Sequence, residues 1–120
     1  MIGKRALVTG GSGAIGATIS ERLADEARRL VERIRAAGGT ATVAVFDIVD
    51  GDATARAVQA LLADGPIQVL VNNAGIHDDA PMAGMTDAQW RSVVDLSLNG
   101  FFHVTQPLLL PMIGTRWGRI

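Results

Sequence analysis

The sequence contains no cysteine, which excludes a disulfide framework and a thiolate site. It also lacks a charge of one sign. Eleven basic residues stand against 12 acidic ones, for a net charge of −1, and no basic run occurs, so nucleic-acid binding has little support. Its apolar stretches fall far short of the roughly 20 residues that cross a bilayer. Met1-Ile2-Gly3-Lys4-Arg5 leads directly into an apolar run, so no signal peptide is expected, a pattern that fits the cytoplasm. What remains is ordinary for an α/β domain: 48% apolar and 19% charged residues over 120 positions. That length allows one domain at most. It is short for a complete nucleotide-binding enzyme.

The stretch that organises the rest is Ala6-Leu7-Val8-Thr9-Gly10-Gly11-Ser12-Gly13-Ala14-Ile15-Gly16. Its pattern predicts a strand over Arg5 to Thr9, a tight glycine turn and a helix starting near Ala14. Glycines let the backbone turn sharply and come close to a ligand. The helix start offers free N–H groups and a positive dipole end that suit a pyrophosphate. Ile15, Ile19, Leu23, Ala27, Leu30 and Ile34 form one apolar stripe, and Gly38-Gly39 supplies the stop. Thr40 to Phe46 reads as a second strand, ending in Asp47-Ile48. Asp50-Gly51-Asp52 opens a helix with an acidic cap, and Val58, Leu61 and Leu62 are its core face.

After the break at Gly65-Pro66, Ile67 to Val71 reads as a short buried strand ending in Asn72-Asn73-Ala74-Gly75. Thr86 and Gln89 have the form of a capping box. The long helix that follows carries Trp90, Val93, Val94, Ser97, Phe101, Val104 and Leu108 on one face, expected to be mostly core. Pro107 and Pro111 are expected to kink or end it. Gly118-Arg119-Ile120 reads as the start of another strand. Alternating strands and helices predict a doubly wound, Rossmann-type parallel sheet with right-handed crossovers. Ligands of such sheets bind at the carboxyl ends of the strands. Gly10 to Gly16, Asp47-Ile48 and Asn72 to Gly75 all fall at such ends, and that convergence is the residue-level argument for a nucleotide site.

With these clusters in hand, the chain resembles a classical short-chain dehydrogenase/reductase. Thr9 to Gly16 is similar to the family's cofactor loop and Asn72-Asn73-Ala74-Gly75 to its second motif. Trp90 to Phe102, Thr105-Gln106 and Gly118-Arg119-Ile120 also follow the pattern. Within the family the resemblance is greatest to the 3-oxoacyl-[acyl-carrier-protein] reductases, over the amino-terminal half of their domain. The resemblance implies that Gly10, Gly11, Ser12, Gly13 and Ile15 wrap the cofactor phosphates and adenosine ribose. It implies that Asp47 accepts from the adenine amino group, that Ile48 contributes backbone, and that Asn73, Ala74 and Gly75 lie along the ribose on the nicotinamide side. Arg116 stands where these reductases present a basic residue to the acidic carrier protein. The implied cofactor is NADP, with NAD as the alternative. The implied partners are a 3-oxoacyl substrate, carried on acyl carrier protein, and further copies of the chain in a dimer or tetramer.

Three departures from the family pattern stand out. Ala14 replaces a common glycine, which a helix start tolerates because it needs no positive φ. Ser97 occupies the catalytic asparagine's position. Asn99, two residues on, points about 200° away on an α-helix, so the role is not transferred to it. Ser97 offers one donor where an amide offers two. Third, Thr9 to Ala41 has room for one crossover of about 30 residues, where the family has two with a strand between. A strand is therefore expected to be absent around Ala24-Asp25-Glu26, and with it the position that reads the cofactor's 2′ group. An internal deletion, or residues skipped with the numbering closed over them, would both give this pattern. The second is the expectation adopted, and a consecutive Cα spacing of ~3.8 Å near Asp25 would contradict it. The end at Ile120, inside an element, has the same look.

The family's proton donor is a tyrosine, helped by a lysine and a serine. The chain has no tyrosine, and its one lysine is Lys4. By the resemblance, these 120 residues hold most of the cofactor half and none of the acid–base centre. The leading expectation is reduction of a 3-oxoacyl thioester by the complete protein. The alternatives are a non-catalytic nucleotide-binding or assembly fragment, and a short-chain enzyme for a sugar, steroid or small alcohol. His77, Asp78 and Asp79 read as a solvated loop rather than a metal site. His103 reads as a satisfied histidine rather than a catalytic base. Asn72 reads as a structural tie between loops. A strand-end Asp such as Asp47 can equally close a turn.

Overall fold

The computed structural model describes residues 4–10 and 17–120, the side chains of 17–24 excepted. Two short parallel strands, β1 (Ala6–Val8) and β2 (Val69–Val71), form the sheet, with Leu7 opposite Leu70. Arg119 extends it on the far side of β2 through a parallel bridge to Val69. Arg119 O accepts from Leu70 N at 2.9 Å, and Arg119 N donates to Gln68 O at 3.0 Å. Arg119 thus pairs with β2 through one bridge, at the place where the sequence predicts the start of another strand. The architecture is α/β, with a parallel sheet in which β1 lies beside β2.

The helices are α1 (Ala17–Ala36), α2 (Gly51–Ala63), α3 (Asp87–Val94) and α4 (Phe101–Gly114). Their ends obey local chemistry. Gly38 closes α1 at φ +81°, the left-handed conformation that glycine adopts without a Cβ penalty, and its N–H bonds Arg35 O at 2.9 Å. Asp50 caps α2 by accepting from Ala53 N at 2.9 Å. The Thr86–Gln89 capping box is complete, with Gln89 N donating to Thr86 Oγ1 at 3.2 Å and Thr86 N to Gln89 Oε1 at 3.0 Å.

The core lies on one face of the sheet, under α2 and α4. Val58 of α2, Leu70 of β2, and Val104, Leu108 and Met112 of α4 are buried together with Ile67. Leu7, Phe46, Ile48, Leu61 and Leu62 pack against them. Fully burying each of the larger side chains contributes roughly 1.5–3 kcal/mol. Strand residues alternate between faces, and Val8 and Val71, on the opposite face, remain 52% and 45% exposed.

The structure bears on four sequence expectations. First, α1 is one continuous helix through Ala24, Asp25 and Glu26, with no strand there, as expected. Second, Thr40 to Phe46 forms no strand and no other regular element. The doubly wound order 3-2-1-4-5-6 seats the second strand between the first and third. With that strand absent, the segment has no neighbour to pair with, and Val45 is 72% exposed. Third, the long helix is not uniform. The segment Asp95–Gly100 between α3 and α4 is π-helical, and α4 continues through both Pro107 and Pro111 to Gly114. Burial of Val104, Leu108 and Met112 holds α4 together although each proline removes one N–H. Fourth, the expected core face is only partly core. Val104 and Leu108 are fully buried, whereas Trp90 is 54% exposed and Phe101 is exposed too.

Candidate functional site

The ends of β1 and β2 are fastened to each other by side chains. Thr9, 6% exposed, is the hub. Its Oγ1 accepts from Asn73 N and from Ala74 N, both at 3.1 Å. Thr9 N donates to Val71 O at 3.0 Å. Asn73 Nδ2 returns the tie, donating to Thr9 O and Gly10 O at 3.2 Å each. Gly10 then turns at φ +64°, and a Cβ there would lie 2.5 Å from Ala74 Cα. Only glycine fits, for conformation and for space. Behind them, Asn72 Nδ2 donates to Thr105 Oγ1 of α4 at 3.2 Å. Asn72 is thus a tie between elements, as its sequence position suggests, and so is the Asn73 amide.

The turn after Thr40 to Phe46 is built from its own polar groups. Asp47 Oδ1 accepts from Val49 N at 2.9 Å, the closure expected of a strand-end Asp. Asp47 O accepts from Thr54 Oγ1 at 3.0 Å, and Thr54 is fully buried on α2. Ile48 is held from α4's side. Its carbonyl accepts from His103 Nδ1 at 2.9 Å, and its side chain lies over Gly100, where a Cβ would meet Ile48 Cδ1 at 2.9 Å. His103 is a satisfied, half-buried histidine.

Thr9, Ile48, Asn72, Ala74, Leu96, Ser97 and Phe101 line one cavity of about 160 Å³. The end of β1, the turn after Thr40 to Phe46 and the end of β2 therefore reach a common hollow through Thr9, Ile48 and Ala74, while Gly10, Asp47, Asn73 and Gly75 are not among its lining residues. Ser97 stands at its rim and also lines a larger cavity of about 580 Å³, bounded by the His77–Pro81 loop, Met85, Gln89, Trp90, Val93, Val94 and Leu98. Asn99 lines neither; its amide donates to Asp95 Oδ1 at 2.8 Å. Asp78 accepts from Gln89 Nε2 at 3.0 Å, joining the loop to α3. Gly11, Ser12, Gly13 and Ile15 lie outside the described residues. Arg116 is exposed beyond α4, at φ +53°. Lys4 lies with Arg119 against Trp117, each cation 5.0 Å from the ring centroid.

The family model for short chain dehydrogenase matches residues 4–120. The chain belongs to the short-chain dehydrogenases. It is 39% identical to a 3-oxoacyl-[acyl-carrier-protein] reductase, MabA, of Mycobacterium avium, over 99% of this chain and 48% of that protein. It is 41% identical to an acetoacetyl-CoA reductase of Paracoccus denitrificans, over 98% of this chain and 52% of that protein. A solved gluconate 5-dehydrogenase from Burkholderia cenocepacia J2315, in complex with NADP and tartrate, superposes with a TM-score of 0.82 at 32% identity. That superposition covers 98% of this chain and 52% of the other. The chain spans about half the length of the curated relatives it matches. The acetoacetyl-CoA reductase match runs over 128 positions, where this short-chain dehydrogenase chain supplies no more than 120. The relative therefore carries residues between matched segments that this chain lacks, in agreement with the short crossover.

The residues that sequence reasoning does not single out are Thr54 and Gly100; Thr9 enters only as the first residue of the cofactor loop, and His103 only as a satisfied histidine. Thr9 and Thr54 are small polar residues that sequence alone cannot assign as buried hubs. For Gly100 the one available signal is its place beside Ser97 in a helical stretch, where glycine weakens a helix and needs a packing reason.

Proposed function

We propose that residues 1–120 form a single partial dinucleotide-binding domain, the cofactor part of an NAD(P)H-dependent reductase acting on 3-oxoacyl thioesters. The observation that carries the reading is the close approach of the two strand ends. Gly10, with no room for a side chain, turns against Ala74, while a Cβ at Gly75 would meet nothing within 4 Å. A backbone-floored hollow with open space before it fits a flat, phosphate-bearing ligand. The nicotinamide cofactor supplies a hydride when bound; the residues of this chain bind and orient it. In this reading Gly10, Gly11, Ser12, Gly13 and Ile15 take the phosphates and adenosine ribose, Asp47 and Ile48 the adenine. Backbone from Asn73 to Gly75 lies along the nicotinamide-side ribose. The Asp47 carboxylate keeps one oxygen for that task, since only Oδ1 is used by Val49 N. Ser97 serves in the catalytic asparagine's place, holding a water through its hydroxyl.

NADP is the cofactor of choice, supported by the NADP complex of the gluconate 5-dehydrogenase. The thioester substrate is supported by the 3-oxoacyl-[acyl-carrier-protein] and acetoacetyl-CoA reductase matches. Exposed Arg116 is the residue for an acidic carrier protein. The exposed apolar side chains of α4, Phe102, Leu110 and Ile113 among them, suit association with further copies in a cytoplasmic homo-oligomer. Fluorescence titration of the chain with NADPH and NADH tests the reading. Saturable binding with preference for NADPH is expected; no binding of either refutes the cofactor site, and preference for NADH counts against the 3-oxoacyl thioester assignment.

A second reading, a nucleotide-binding or assembly module without catalysis of its own, is favoured by one observation. The chain has no tyrosine, and its single lysine is stacked on Trp117. The 120-residue polypeptide is therefore expected to show no NADPH oxidation with acetoacetyl-CoA; measurable turnover would refute this division of labour. The sugar-acid branch of the family is kept by the gluconate 5-dehydrogenase match and is tested on the complete protein by NADPH formation from gluconate and NADP+.

A further inference from the structure

Ile48 is gripped at two points by residues three apart at the start of α4. The backbone grip is a hydrogen bond from His103 Nδ1 to Ile48 O at 2.9 Å. A carbonyl only accepts, so Nδ1 carries the proton. The side-chain grip is steric. Ile48 Cγ1 and Cδ1 come so near Gly100 that a Cβ there would stand 2.9 Å from both. Gly100 is buried and His103 half-buried. The ring of His103 also borders the first residue of α2, where a Cβ on Gly51 would be 3.1 Å from Nε2. Phe102 meets the same ring edge-on, with centroids 6.2 Å apart. His103 thus sits among Ile48, Gly51 and Phe102.

Fixing Ile48 fixes its neighbour. Asp47 bonds forward to Val49 N and, through its carbonyl, to Thr54; none of these bonds anchors the turn to α4. His103 provides that link. The segment leading into the turn, Thr40 to Phe46, makes no backbone–backbone hydrogen bond among the described residues. In a sheet with the second strand present, strand pairing would hold the turn. Here the α4 grip replaces it. We propose that Gly100 and His103 form a clamp that sets the Asp47-Ile48 turn, making His103 a positioning residue for the adenine end of the dinucleotide. This rests on the cofactor reading above. His103 does not touch the cofactor; it acts through Ile48.

The test compares NADPH with its hypoxanthine analogue, which carries an oxo group in place of the adenine amino group. Kd values for both are measured on the 120-residue chain by fluorescence titration. The wild-type chain is expected to prefer NADPH by about fivefold or more, the worth of one hydrogen bond to a carboxylate. His103→Ala is expected to weaken NADPH binding about 3- to 10-fold and to reduce the preference to twofold or less. His103→Asn, whose Nδ2 stands where Nδ1 does, is expected to restore both to within twofold. Gly100→Ala, which keeps the imidazole but displaces Ile48, should mimic His103→Ala. If circular dichroism shows His103→Ala unfolded, Gly100→Ala and His103→Asn carry the comparison. A general loss of structure would weaken both ligands equally and leave the preference intact; that result overturns the clamp, as does an unchanged His103→Ala. A wild-type chain that binds NADPH but does not discriminate the analogue removes the adenine contact and overturns the clamp alone. A wild-type chain that binds neither overturns the cofactor reading with it.

Discussion

Replacing Thr9 by valine removes one oxygen and keeps the side chain's size and branching. In the wild type that oxygen accepts from Asn73 N and Ala74 N at 3.1 Å each. Asn73 N has a second acceptor, Val71 O at 3.0 Å, so its loss is partial. Ala74 N loses the acceptor that ties it to β1. An unpaired buried donor costs about 1–3 kcal/mol, and the lost bond itself about 1 kcal/mol net. Ala74 is half-buried, so water relieves part of this, and the sum is about 2 kcal/mol. For a chain of this size, with a urea slope of roughly 1–1.5 kcal/mol per molar, the unfolding midpoint falls by about 1.5 M. Thr9→Ser keeps the oxygen and loses one methyl, which limits its cost to about 1 kcal/mol. Urea unfolding followed by circular dichroism reads both variants. A Thr9→Val chain within about 0.5 kcal/mol of wild type would refute the role of Thr9 as the fastening between the strand ends.

Two further outcomes follow from the same structure. Thr86→Ala removes both hydrogen bonds of the hydroxyl in the capping box and is expected to cost about 1 kcal/mol, read by the same urea titration; no shift in midpoint would contradict the cap. Amides 41–46, without backbone partners among the described residues, are expected to exchange with deuterium orders of magnitude faster than Val69 and Leu70, which bond Arg5 O and Arg119 O. Protection at 41–46 equal to that of Leu70 would mean that the segment is paired after all.

Elements whose signals are local are legible in the sequence. The Asp50 cap, the Thr86–Gln89 box and the Gly38 stop depend on residues within one turn, and each forms as written. The strand Ile67 to Val71 is legible because a short apolar run between turn signals has few other uses. Thr40 to Phe46 has the same β-branched look, yet strand formation needs a neighbour, and the neighbour is a segment this chain lacks. The prolines of α4 mislead for a related reason: local chemistry opposes the helix, and burial against α2 and β2, which no local window contains, overrides it. In the site, the positions of Gly10, Ile48 and Ala74 were legible from strand ends alone. The division of labour among them was not. The Asn73 amide is committed to Thr9 and Gly10, and the hub is a threonine that composition cannot tell from any other.

The central claim is that the ends of β1, of the Thr40–Phe46 segment and of β2 face one dinucleotide. Titration of the ¹⁵N-labelled chain with NADPH, followed by amide chemical shifts, tests it most directly. Saturable shifts concentrated on Gly10, Asp47, Ile48, Ala74 and Gly75 are the expected result. Shifts confined to the larger cavity between the His77–Pro81 loop and α3, or no shifts at all, would contradict the claim.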